Sequence, residues 1–142
     1  PMTKVMTIGS FDMIHADHVR LIRWCAKLAG VGGKVLVGIN TDRFYENNRG
    51  YPPLISQGDR AAVISAFEDV YTWFYNDSES LERYIEEFKP DLLAVGSDWH
   101  SRDYLSQTGL TFDFLLAQRC ALVYVPSPES VHSSQIRERM NK

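Results

Sequence analysis

Lys4–His18 reads KVMTIGSFDMIHADH. Its first six residues form a β-rich apolar run ending in Gly9. Two histidines three apart, His15 and His18, then stand at the entrance to a stretch with helical spacing. Along His18–Ala29, Arg20, Arg23 and Lys27 share one stripe, leaving Val19, Ile22, Cys25, Ala26 and Ala29 for a core. A strand that turns at once into a helix is the opening of a βαβ unit, so this stretch sets the expectation for the rest of the chain.

The rest follows the same alternation. Lys34–Asn40 (KVLVGIN) and Val70–Tyr75 (VYTWFY) read as strands, and the polar stretch between them with Asn47, Asn48, Gly50, Pro52 and Pro53 reads as loop. Ser56 and Asp59 resemble a capping box ahead of a helix over Arg60–Phe67. Leu81, Tyr84, Ile85 and Phe88 fall at i, i+3, i+4 and i+7, and Pro90 ends that helix. Asp91–Gly96 is a fourth strand and Leu122–Val125 a fifth, with a helix over Phe112–Arg119 between them. Ser133 or Ser134 would cap a last short helix running through Met140. Apolar strands alternating with helices predict an α/β fold with a single doubly wound parallel five-stranded sheet, covered on both faces. In such folds ligands bind beyond the carboxyl ends of the strands, where the strand order reverses.

The 142 residues carry 15 Lys+Arg against 18 Asp+Glu, a net charge of −3. That balance excludes a general nucleic-acid binder and a polybasic membrane-surface protein, both of which need an excess of cations. No apolar run approaches the roughly 20 residues of a membrane span. With no repeat, low-complexity tract or linker composition, the reading is one domain over residues 1–142, cytoplasmic, with its two cysteines, Cys25 and Cys120, reduced in the core.

The chemistry concentrates at the exit of the first strand. His15 and His18 would sit at a helix N-terminus, where unpaired backbone N–H groups and the helix dipole favour an anion. Imidazoles added there can bind phosphate oxygens and stabilise charge growing on a phosphoryl group. Two solvated histidines on a surface turn, or half of a zinc site, would give the same spacing, but no third ligand stands at a recognisable interval. The position between strand and helix favours the anion reading.

GSFDMIHADH resembles the G-x-F-D-x-x-H-x-G-H signature of the cytidylyltransferase-like nucleotidyltransferases, and the resemblance continues nearly end to end. Asn40-Thr41-Asp42, Arg60, Pro90–Leu93, Gly96-Ser97-Asp98-Trp99 and His132–Arg137 resemble later motifs of that family in order and spacing. The resemblance implies a Rossmann-like nucleotidyltransferase fold and an enzyme in which a phosphate oxygen of an acceptor attacks the α-phosphate of a nucleoside triphosphate, releasing pyrophosphate. It implies His15 and His18 as catalytic residues. Gly9, Ser10, Phe11, Asp12, Arg60, Gly96, Asp98, Ser133 and Ser134 would bind the nucleotide, and Arg49, Trp99 and His132 the acceptor. Mg²⁺ carried with the nucleoside triphosphate, a homodimer, and CTP or ATP with a small phosphorylated substrate as partners are further implications.

The chain also departs from the family pattern. Asp17 replaces the glycine of H-x-G-H, and a carboxylate there repels triphosphate unless Mg²⁺ or an arginine compensates. The loop after the second strand offers only Arg43 and Arg49 as cations. Glu68 stands where an arginine is expected, and Ser127–Ser134 lacks a leading arginine. Pro53-Leu54 and Ala66–Val70 resemble the sugar-phosphate adenylyltransferases, whereas Gly96–Trp99 resembles the cytidylyltransferases. The expectation is therefore transfer of CMP from CTP to a glycerol-3-phosphate-like acceptor. ATP with a sugar phosphate is its first alternative, and a weakened nucleotide-binding module its second.

Overall fold

The computed structural model describes residues 2–97, 103–126 and 140. Five strands, β1 (Lys4–Gly9), β2 (Lys34–Asn40), β3 (Thr72–Asn76), β4 (Leu92–Gly96) and β5 (Ala121–Val125), form one sheet in the order β3-β2-β1-β4-β5. All four pairings are parallel. The sequence expectation of a parallel five-stranded α/β sheet is met. Strand order reverses at β1, so the crevice where β1 and β4 diverge is the place the topology prepares for a ligand.

The helices are α1 (Ala16–Ala29), α2 (Asp42–Arg49), α3 (Gln57–Ser65), α4 (Glu82–Phe88), α5 (Tyr104–Gln107) and α6 (Phe112–Gln118). Because strand side chains alternate faces, Val5 and Met6 enter different cores. Val5, Val35, Val37, Ile39 and Ala94 pack with Ile22 and Cys25 of α1 and Ala61 and Ile64 of α3. Met6, Leu36, Leu93 and Val95 pack on the other face with Tyr84 and Ile85 of α4, Tyr104 of α5 and Leu115 of α6. Burial pushes the Cys25 thiol up to about 12, and burial with the nearby Asp91 carboxylate raises Cys120 to about 11. Both cysteines are reduced and buried.

Two details of β2 and its exit matter for the site. Gly38 leaves no room for a side chain, since a Cβ there would lie 2.8 Å from Ile8 and from the Phe74 ring. After Asn40 the chain does not enter a loop, as its polar composition suggests, but forms α2. The Thr41 hydroxyl caps α2 by accepting from the Phe44 N–H, and Gly50 closes it in the left-handed conformation (φ 82°). Asn47 and Asn48 are thus helical, a correction explained by the two caps rather than by propensity. The Ser56 hydroxyl caps α3 as the sequence suggests, accepting from the Asp59 N–H at 3.3 Å.

Candidate active site

The site grows from the turn between β1 and α1. Phe11 and Met13 both have φ near 53°, a conformation that costs a non-glycine residue energy. Two buried groups offset that cost. The Asp12 carboxylate, 2 % exposed, accepts from the Leu54 and Ile55 N–H groups at 3.0 and 2.9 Å. Arg60, 1 % exposed, reaches across from α3 and donates to the Ser10 carbonyl at 2.6 Å, the Asn40 carbonyl at 2.7 Å and the Ile55 carbonyl at 2.8 Å. Its remaining Nη donates to Asp42 at 2.7 Å. These bonds bind the exits of β1 and β2 and the segment before α3 into one frame. Phe11, itself buried, covers Gly9: a Cβ on that glycine would touch the Phe11 ring at 3.4 Å.

From this frame the two imidazoles project at the start of α1. His15 is the N-cap, and its Nδ1 accepts from the Asp17 N–H at 3.3 Å. His18 reciprocates, its Nδ1 accepting from the His15 N–H at 3.2 Å. This is the geometry of a capping box with imidazoles in place of hydroxyl and carboxylate. Each Nδ1 faces a backbone donor, so it carries no proton, and the neutral ring must hold its proton on Nε2. The rings lie with centroids 4.2 Å apart, and His18 tilts against Phe11 at 5.4 Å.

Together with Gly9, Ser10 and Phe11, both imidazoles line a cavity of about 180 Å³ at the point where strand order reverses. Its far wall is Val95 and Gly96 from the end of β4 and Val125 and Pro126 from the end of β5, with Thr7, Ile8 and Leu21 beneath. Asp17 also lines it, but the repulsion its carboxylate would exert is answered locally: Arg20, one turn on, donates to its Oδ1 at 2.8 Å. The cation the sequence analysis required for this departure is therefore in place.

The structure thus brings Gly9, Ser10, Phe11, His15, His18 and Gly96 together. Asp12 and Arg60 do not line this cavity; Asp12 accepts from the Leu54 and Ile55 N–H groups, and Arg60 donates to three carbonyls and to Asp42, so both brace the turn that carries it. Arg49 lies at the exposed end of α2 with its guanidinium 5.0 Å over the Tyr45 ring, outside the cavity. Arg43, the other cation of that segment, pairs with Asp77 at 2.9 Å. Asp98, Trp99, His132, Ser133 and Ser134, and the last helix, lie outside the described residues. The sequence reading did not make site residues of Thr7, Leu21, Val125 or Pro126, which it placed only in or beside strands and the first helix. Among the described residues, no group of three or more His, Cys, Asp or Glu side chains could hold a metal ion. None of the described helices is long and apolar enough to cross a membrane.

A parallel α/β sheet with a helix N-terminus and two imidazoles at its switch point defines a nucleotide-handling fold of the Rossmann-like class. The chain belongs to the cytidylyltransferase-like family, which it matches over residues 6–139, a family of nucleotidyltransferases. It is 34% identical over 96 residues to the bifunctional protein HldE of Magnetococcus marinus, covering 67% of this chain and 19% of that protein. It is 33% identical over 100 residues to the FAD synthase of Archaeoglobus profundus, covering 70% of this chain and 61% of that one. The matched region thus spans about a fifth of the HldE relative and less than two thirds of the FAD synthase. Among solved structures, the lipopolysaccharide core biosynthesis protein from Thermoplasma volcanium has the same fold. It aligns with a TM-score of 0.63 at 22% identity, over 87% of this chain and 97% of that one.

Proposed function

We propose that this chain transfers a nucleotidyl group from a nucleoside triphosphate to a small phosphorylated acceptor. The observation that carries the reading is the mutual imidazole cap of α1 at the switch point. It sets two imidazoles and the helix N-terminus along one cavity. A phosphate oxygen of the acceptor attacks the α-phosphorus in line. The bond from that phosphorus to the bridging oxygen breaks, and pyrophosphate leaves with the electron pair. Mg²⁺ enters as part of the triphosphate substrate and neutralises its charge. His15 and His18, neutral and protonated on Nε2, act as hydrogen-bond donors to phosphate oxygens and not as proton acceptors. Ser10, Phe11 and Gly96 bound the space for the nucleotide.

Two observations bear on the nucleotide. Relatives named HldE and FAD synthase favour ATP, the second because its product contains an adenine nucleotide. The Gly96–Trp99 sequence favours CTP with a glycerol-3-phosphate-like acceptor. The Asp17–Arg20 ion pair argues for a working site over a disabled binding module, since it removes the uncompensated charge that would repel a triphosphate. The test is pyrophosphate release from Mg·ATP and Mg·CTP, each with a panel of phosphorylated sugars and polyols. Release that depends on an acceptor is expected with one nucleotide. Tight binding of a nucleotide with no release from any acceptor would leave the binding-module reading in its place.

A further inference from the structure

Behind the cavity, a line of three side chains crosses the carboxyl ends of β3, β2 and β1. Asn76, at the end of β3 and 2 % exposed, has its side-chain Oδ1 fixed by an unambiguous donor, the Ser78 backbone N–H at 3.2 Å. Its Nδ2 must therefore face the other way, and it donates to Asn40 Oδ1 at 2.8 Å. That in turn leaves Asn40 Nδ2 to donate to the Ser10 hydroxyl oxygen at 3.1 Å. The Asn76 carbonyl also accepts from the Thr41 N–H at 2.9 Å, and the Ser10 carbonyl is held by Arg60, so both ends of the line are fixed. The polarity of every bond follows from one backbone amide, with no choice of amide orientation left open.

A hydroxyl that accepts from Asn40 keeps its own proton for another partner, and Ser10 lines the cavity beside both imidazoles. We infer that Asn76 and Asn40 are positioning residues that leave the Ser10 hydroxyl proton free to be donated to a phosphate or ribose oxygen of the bound nucleotide. The inference rests on the nucleotide reading above and extends it: the edge strand β3, remote from the cavity, sets the donor pattern of the pocket. Asn→Asp at position 40 is the cleanest reversal. Its Oδ1 still accepts from Asn76, but the second oxygen faces Ser10 and takes the hydroxyl proton away from the ligand. Asn76→Asp does the same one step back, because Asn40 must flip its amide to meet the new acceptor.

The experiment is calorimetric titration of Mg·ATP and Mg·CTP into the wild-type chain and into Asn40→Asp, Asn76→Asp, Ser10→Ala and the double variants, with thermal unfolding of each sample. One charge-assisted hydrogen bond is at stake, so each single variant should weaken binding about tenfold. On the Ser10→Ala background, neither Asp substitution should weaken it further by more than about twofold, since the hydroxyl through which they act is gone. Ser10→Thr, which restores a hydroxyl, should recover most of the affinity. If Asn76→Asp does not fold, Asn40→Asp carries the test alone, because it preserves the bond to Asn76. Wild-type affinity in folded Asn40→Asp would overturn the inference. So would an equal loss with and without Ser10, which would mean simple charge repulsion or a displaced strand. Failure of wild type to bind either nucleotide would remove the nucleotide reading itself, and the inference with it.

Discussion

Two sets of charged and polar residues share the turn after β1, and they behave as opposites. Asp12 and Arg60 are almost wholly buried, and they bond to the backbone of Ser10, Asn40, Leu54 and Ile55 and, through Arg60, to the Asp42 carboxylate. His15 and His18 stand a few residues further on, their Nδ1 atoms accepting from the Asp17 and His15 N–H groups, and border the cavity. The first set holds a strained turn in place; the second offers chemistry to whatever enters. Asp12 and the histidines look alike side by side in the motif, because the sequence pattern records that a residue type is needed and not which way its polar atoms face.

Substitutions can break this division. The largest expected effect falls on the imidazoles. His15→Asn retains an N-cap of comparable strength while deleting the ring, so turnover should fall by roughly 100- to 1,000-fold with the melting temperature nearly unchanged. His18→Ala should lower turnover similarly, with a small stability loss from the missing half of the cap. Steady-state kinetics alongside thermal unfolding of the same samples checks both, and near wild-type turnover in either would dissolve the distinction. Arg60→Met should do the reverse. It strands three half-buried carbonyls and the Asp42 carboxylate and costs about 3 kcal/mol of stability by denaturant unfolding. Asp12→Asn sharpens the comparison further: an amide can accept at only one of its two atoms, so about 1–2 kcal/mol is lost as the Leu54–Ile55 segment releases one N–H.

The smallest effect concerns the core under α1. Cys25 has its thiol pushed up to about 12 by burial, whereas the unfolded chain ionises near the ordinary value of 9.0. The folded state thus binds more protons between those values, and its contribution to stability falls as pH rises from about 9 toward 12. At pH 8 the thiol should resist alkylation until the chain unfolds. Rapid labelling of folded protein at Cys25 would show that the core beneath the site is open.

How much of this could be read in the chain depends on how local the signal was. β1, β2, β4 and the histidine pair were legible because apolar runs, closed by glycine in β1 and β4, and a helix start beside the first, are written in consecutive residues. Helix α2 was not, since DRFYENNR carries a single buried side chain, Tyr45, and its stability comes from Thr41 and Gly50 at its ends. Asn76 offered no signal either: one polar residue closing the aromatic TWFYN run reads as a strand end. Its importance arises from Ser78 and Asn40, which only the fold brings to it. The bonds by which Arg60 and Asp12 brace the turn were not legible, for the same non-local reason.

The central claim is that His15 and His18 meet the nucleotide as neutral rings protonated on Nε2. Nitrogen-15 NMR of the four histidine side chains addresses it directly, with His15→Asn and His18→Ala assigning the two resonance sets. Near neutral pH, the account predicts both rings as Nε2–H tautomers, with their Nε2 signals shifting when Mg·ATP or Mg·CTP is added and their Nδ1 signals still those of acceptors. Rings protonated on Nδ1, or His15 and His18 signals that ignore a nucleotide the protein demonstrably binds, would contradict it.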